Sequence, residues 1–357
     1  MTPVVITGLG LVLPCGDGIE AARDSWRASR PAFAELPPAL GGGPGGACTA
    51  FNPAGIIPPM TLRRLDRPSR FAWGAAHQAF RDAGLDPAAC GEDMAIAAGT
   101  ITGGSEAGET FIRPYFERGP EGASPMVFPN CVSNAATGHL ALAFGIKGPG
   151  ATFVDRENGT ILALEEGARW LRSGLARQVL VVGTDGLFPL LIQLLTQVRR
   201  IARDGRPVAG GRTGLVPGEG AQAFLLERRE DAAARGARIR AELGPIGLAS
   251  PLAERRDSHR EALEEAVAAL GGIRPERWIG GACGLPTLDE VEMPLASAHP
   301  EWPAPRHPKL LWGELCGVGG ALVAAALLEP ADQVLVTAPA SGGLQAALVL
   351  ERVESPN

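Results

Sequence analysis

The sequence predicts an α/β protein whose helices cover both faces of largely buried sheets, and three observations carry that expectation. Strand-like and helix-like patterns alternate along the chain, the strand-like runs are almost continuously apolar, and 45% of the 357 residues are hydrophobic, enough to bury a substantial core.

Each element is justified in turn by its own pattern. The opening run PVVITGLGLVLP lacks a basic n-region and carries Gly, Pro and β-branched residues, so it reads as a first strand and not as a signal peptide. GIEAARDSWRAS reads as a helix, SRFAWGAAHQAFRDAGL as a long amphipathic helix ending in Gly84, and MAIAAGT as a buried strand. NAATGHLALAFG is helical, ATFV a strand, TILALEEGARWLRSG a helix and QVLVVGTDG a strand. A loop rich in Gly and Arg spans 203–215, and the chain resumes with AQAFLLERR and ARIRAELGPIGLA. HREALEEAVAAL and GVGGALVAAALL then give helices, RWIGGACG a short strand, and QVLVTAP and LQAALVLERV the closing strands. ELPPALGGGPGG, residues 35–46, is the one low-complexity run and reads as a surface loop.

Composition excludes several classes. A net charge of −6, a pI near 5.5 and the absence of a Lys/Arg run exclude a nucleic-acid footprint. No run of about 20 apolar residues is present to span a membrane. Cys15, Cys48, Cys90, Cys131, Cys283 and Cys316 show no CxxC spacing, so the expectation is buried free thiols in a cytoplasmic protein without a metal cluster. His77, His139, His259, His299 and His307 fall in no acid/base or ligand spacing, and are read as structural or surface residues. GLGLVL lacks the third glycine of a dinucleotide fingerprint, and GGSEAG does not satisfy GxSxG. Neither a cofactor nor a metal is expected.

The stretch ATFVDRENGT, residues 151–160, poses the functional question. A strand, a sharp turn and a helix is how a fold presents a catalytic nucleophile at a helix N-terminus, yet the tip carries Asp155, Arg156 and Glu157 and no Ser or Cys.

Longer segments answer it. VVITGLGLVLPCGDGIEAARDSWRASRPAF, LRRLDRPSRFAWGAAHQAFRDAGLD, SPMVFPNCVSNAATGHLALAFGIKGPGATFV, VLVVGTDG and GLVPGEGAQAFLLERREDAAARGARIRAEL resemble successive segments of the β-ketoacyl-acyl-carrier-protein synthases, in the family's order. The resemblance implies a thiolase-like, five-layered αβαβα fold from two pseudo-repeated halves, here 1–240 and a shortened 241–357, and a dimer. The family's elbow reads like T-A-C-A-S-G, and its acyl-accepting Cys falls on Glu157. The first catalytic His falls on Cys283 in ACGLPTLDEVE and the second on Glu314 in KLLWGELCGVGG, where Lys309 matches the family's lysine. The gate Phe of a motif like G-F-G-G-T-N becomes Ser341.

Condensation needs a soft nucleophile for thioester exchange and two imidazoles to stabilise the enolate left by decarboxylation. A carboxylate at 157 is a poor acyl acceptor, and Glu314 repels the developing oxyanion. The plain structural reading of Glu157 is an anion at a helix N-terminus, favoured by ~0.3–1 kcal/mol, with Arg156 or Lys309 available to pair with Glu157 or Glu314. The functional reading makes Glu157 a base or a decarboxylation element.

A synthase with its active site overwritten resembles the chain length factor, the non-catalytic partner of the ketosynthase in type II polyketide systems. That class commonly carries Gln where this chain has Glu157. The resemblance implies a heterodimer with a catalytic ketosynthase and an acyl carrier protein as partner. Val127 falls where related synthases place a Phe reaching across the dimer axis, and Thr102 aligns with another pocket-facing position; both are smaller here, which points to a long tunnel. A malonyl-carrier-protein decarboxylase and a homodimeric carrier-binding pseudoenzyme are the alternative readings.

Overall fold

The structure, a computed structural model, describes residues 2–253, 256–314 and 319–353, so Cys316 lies outside the described residues. Nine strands build its main sheet: β1 (Val4–Leu13), β2 (Met94–Gly99), β3 (Gly150–Phe153), β4 (Gln178–Asp185), β5 (Gly220–Arg228), β6 (Ala241–Ala249), β7 (Arg277–Ile279), β8 (Gln333–Ala338) and β9 (Gln345–Glu351). They lie in the order β7-β8-β9-β6-β1-β5-β4-β2-β3, and a short tenth strand, Gly16–Asp17, pairs with β1. The strands of the first half stay together, as do those of the second. The two sets join where Val4, Val5 and Ile6 face Leu243, Glu242 and Ala241 in antiparallel register.

Period-two alternation then makes the layers, because successive side chains of a strand point to opposite faces. Val179 and Val181 of β4 and Val334 and Val336 of β8 enter one shared cluster with Ile161, Leu164 and Leu171 of α5 (Gly159–Ser173) and Leu322 and Val323 of α9 (Gly320–Leu328). Leu180 points the other way, to Phe71, Ala75 and Ala79 of the long helix Arg67–Ala83. Leu335 does the same toward Leu263 of the helix Arg256–Ala268 and Leu295 of the helix Pro286–Ala298. The result is helix, sheet, helix, sheet, helix: a thiolase-like fold with two helices enclosed at its centre. The all-apolar sequence of α9 and the dry strand runs are what such enclosure requires.

Local signals act as expected at the long helix. Asp66 accepts the Ser69 amide at 3.1 Å, and Gly84 closes the C-terminus at φ 62. The glycines of GLGLVL are explained by packing: a Cβ on Gly10 would lie 1.8 Å from the Ala75 carbonyl oxygen of this helix.

Three sequence expectations need correction. Residues 35–46 are more than a surface loop, because Ala34–Glu35 pairs with Pro44–Gly45 and Leu36 and Leu40 are buried. Of the described cysteines only Cys48 and Cys283 are buried; Cys15, Cys90 and Cys131 are half-buried. The structure adds the helices Ser105–Arg118, Pro189–Gln197 and Pro286–Ala298, two of which are masked in the sequence pattern by an internal proline, Pro114 and Pro294.

Candidate functional site

The elbow keeps the backbone of a nucleophile turn. β3 runs into a 3-10 turn, Arg156–Asn158, and α5 begins at once with Gly159. Gly99 at the end of β2 permits this approach, since a Cβ there would sit 2.1 Å from the Thr160 nitrogen. Arg156 takes the left-handed conformation at φ 43, which costs an L-residue about 1–2 kcal/mol. That is the kind of strain such turns hold at their tip. The backbone device is present; the residue it displays is a carboxylate.

Glu157 is half-buried and bound across the molecule. Its Oε1 accepts the Ser341 hydroxyl at 2.8 Å and its Oε2 accepts the Ser341 amide at 3.1 Å. Arg156 is exposed, with its guanidinium against Gly342, where a Cβ would lie 2.8 Å from Arg156 Nε. Asp155 accepts the Leu344 amide; burial raises its pKa and that hydrogen bond opposes the rise.

Lys309 opens the short helix Lys309–Trp312, and its Nζ lies 2.8 Å from Glu314 Oε2. Of the pairings left open by sequence, this one forms. Glu314 is fixed by its backbone, whose amide donates to the Val216 carbonyl at 2.8 Å while its carbonyl accepts the Gly218 amide at 2.9 Å. Burial alone would lower the Lys309 pKa, but the charge of Glu314 first, with that of Glu157, raises it, so the ammonium stays charged. Burial raises the Glu314 pKa, Lys309 opposes the rise and Glu157 adds to it.

Cys283 sits in the loop after β7, and α8 (Pro286–Ala298) holds that loop in place. Asp289 accepts the Cys283 amide at 2.8 Å, and Glu292 accepts the Gly281 and Ala282 amides at 2.8 and 3.0 Å. Burial first, and then the charge of Glu314, push the Cys283 thiol far above its ordinary value. It is a neutral thiol with a carboxylate and no imidazole beside it, an environment that disfavours the thiolate, and it is therefore no nucleophile.

The fold thus gathers Glu157, Cys283, Lys309, Glu314 and Ser341. Chemically they form a lysine–glutamate ion pair, a protonated thiol and a carboxylate that accepts two hydrogen bonds from a serine. His259 contacts Gln345 and His307 approaches Glu292, so among the described residues no imidazole is bonded to any of the five. No group of three or more His, Cys, Asp or Glu among the described residues is placed to hold a metal. Among the described residues no helix is long and apolar enough to cross a membrane.

Val127 and Thr102 lie elsewhere. Val127 is half-buried beside the exposed Met126 and Phe128. Thr102 is buried, and its hydroxyl and amide donate to Asp185 Oδ1 at 2.6 and 2.7 Å. Sequence reading missed Asp185, which ends β4 and also takes the Thr100 hydroxyl at 2.7 Å; an acid closing a buried strand in VLVVGTDG was the available signal. It also missed Asn158, whose side chain donates to the Ala338 and Leu344 carbonyls at 3.0 and 2.7 Å.

Comparison with known proteins agrees with this fold. The family model for the β-ketoacyl synthase N-terminal domain matches residues 1–232. The tetracenomycin polyketide synthase ketoacyl synthase beta subunit of Streptomyces glaucescens is 31% identical over 98% of this chain and 92% of its own length. A putative polyketide beta-ketoacyl synthase 2 of Streptomyces halstedii is 30% identical over 93% of this chain and 84% of its own. Among solved structures, the ishigamide ketosynthase/chain length factor superposes with a TM-score of 0.87 over 99% of this chain and 100% of that one, at 24% identity. The ketosynthase AntDE with the acyl-carrier protein AntF superposes with a TM-score of 0.78 over 99% and 100%, at 20% identity.

Proposed function

The chain belongs to the β-ketoacyl synthase family, and on that premise we propose that it is the non-catalytic, chain-length-factor-like partner of a ketosynthase in type II polyketide synthesis. One observation carries the reading: at the site where the family places a thiolate and two imidazoles, this chain has Glu157 bound by Ser341, the neutral thiol of Cys283, and Glu314 bound by Lys309. Acyl transfer to Glu157 would form an anhydride, and enolate stabilisation would have to come from carboxylates of the wrong sign. The same lack of imidazoles, with Lys309 committed to Glu314, counts against a decarboxylase.

The partners follow from the relatives. One is described as a ketoacyl synthase beta subunit and another as a ketosynthase/chain length factor, so the complement of this chain is a catalytic ketosynthase; the acyl chain arrives on an acyl carrier protein, as in the AntDE:AntF complex. The surface accords with an obligate partner. Phe116 and Leu142 are 79% and 86% exposed, and Met126, Phe128, Val132 and Val154 are also exposed, an apolar display that stable monomers avoid. Val127 lies within this region and is the residue we assign to the tunnel wall. Thr102 is committed to Asp185 and holds the turn after β2.

Co-expression with a ketosynthase subunit tests the proposal. A 1:1 complex by size exclusion and native mass spectrometry is expected, whereas a well-behaved homodimer that ignores the ketosynthase would contradict it.

A further inference from the structure

Every residue from 155 to 158 touches the loop at 338–344. Glu157 takes both donors of Ser341, Asn158 donates to Ala338 and Leu344, Asp155 accepts the Leu344 amide, and Arg156 lies against Gly342. At its base the loop is held by Gln345, which accepts the Ala340 amide at 3.0 Å and donates to the Ala340 and Gly343 carbonyls at 3.1 and 3.5 Å. At its tip Gly342 and Gly343 carry no side chain, and the Ser341 side chain is anchored by Glu157. Near it, Cys283, Lys309 and Glu314 are 1%, 4% and 6% exposed, although a working ketosynthase must admit an acyl thioester to these positions.

We propose that Glu157 is a positioning residue, a carboxylate latch that keeps the loop at 338–344 down on the elbow and closes this chain's own site to an acyl thioester carried on a flexible arm. An ionised carboxylate with one oxygen for each Ser341 donor makes two charge-assisted hydrogen bonds, roughly twice as strong as neutral ones. Gln at this position offers a single acceptor oxygen and can satisfy only one of the two donors well. The inference rests on the proposed pairing for its consequence: with this site latched, the arm is directed to the ketosynthase's site alone.

The test uses the purified full chain, with Glu157→Gln, Glu157→Ala and Ser341→Ala. Hydrogen exchange is read by mass spectrometry on the peptide covering 339–345, and iodoacetamide labelling is read separately at Cys283 and Cys48. Exchange in the loop and alkylation of Cys283 should each rise at least tenfold in Glu157→Ala and less in Glu157→Gln, while Cys48, also buried, stays at its wild-type rate. Unchanged loop exchange in all variants would overturn the latch. So would equal acceleration of Cys48 and Cys283, which marks general loosening. If Glu157→Ala does not fold, Glu157→Gln and Ser341→Ala carry the same comparison. No reading requires the ketosynthase, so the latch and the pairing can fail separately.

Discussion

Lys309 Nζ lies 2.8 Å from Glu314 Oε2, with both side chains closed off from solvent. On the proposed correspondence, the lysine the family uses is retained, and the residue in the histidine's place pairs with it. A pair like this returns its desolvation cost only while both members stay, because either one alone is an uncompensated buried charge.

Lys309→Met should therefore destabilise the fold by about 3–5 kcal/mol, and Glu314→Leu by a similar amount. The double substitution should recover most of the loss, since it removes both charges and fills the space with apolar atoms. Denaturant unfolding of the four proteins gives the coupling directly. Additive losses would show that the two side chains do not depend on each other.

Restoring the nucleophile alone should not restore chemistry. Glu157→Cys leaves Cys283 and Glu314 where imidazoles are needed, so carrier-bound malonyl thioester should give no condensation product above background. For the wild-type chain, intact-mass analysis after exposure to an acyl thioester should show no adduct on the elbow peptide.

Asp185 gives stability a pH signature. Burial raises its pKa from 3.8 to about 6, against the opposing hydrogen bonds from Thr102, Thr100 and Ile101. Folding thus favours the protonated acid. The stability it contributes is full below pH 3.8 and is lost as pH rises through about 6. Relative to Asp185→Asn, the wild type should lose roughly 3 kcal/mol between pH 4 and pH 7 in urea unfolding. Parallel stability curves for the two proteins would show that Asp185 has an ordinary pKa.

The elements that could be read from the sequence were those whose pattern is local: dry strands such as Val4–Leu13, and Arg67–Ala83 with its Asp66 cap and Gly84 stop. Ser105–Arg118 was not among them, because Pro114 interrupts its pattern and its apolar Ile112, Tyr115 and Phe116 face outward. At the site, the positions of Glu157, Cys283, Glu314 and Lys309 came from resemblance, and Lys309 with Glu314 was among the pairings the sequence left open, but the partner of Glu157 could not be read. The Glu157–Ser341 bond spans 184 positions, and no local spacing announces it. Asp185 and Asn158 were missed for the same reason: each joins segments that only the folded sheet brings together.

Val127 tests the tunnel. In a reconstituted pair, Val127→Phe should shorten the products by filling wall space that otherwise accepts methylenes worth ~0.8 kcal/mol each when buried. Mass spectrometry of the products gives the length distribution. Shorter products at near-normal turnover are expected, and an unchanged distribution with an intact complex would remove Val127 from the wall.

The central claim, that this chain contributes no reacting group, is met most directly by moving the nucleophile in the reconstituted pair. Condensation is measured with carrier-bound malonyl thioester in three pairs: wild type, one with Glu157→Gln in this chain, and one whose ketosynthase has lost its nucleophilic cysteine. The expected result is product from the first two and none from the third; product that persists without the ketosynthase's cysteine, or that disappears with Glu157→Gln while the complex stays whole, would contradict it.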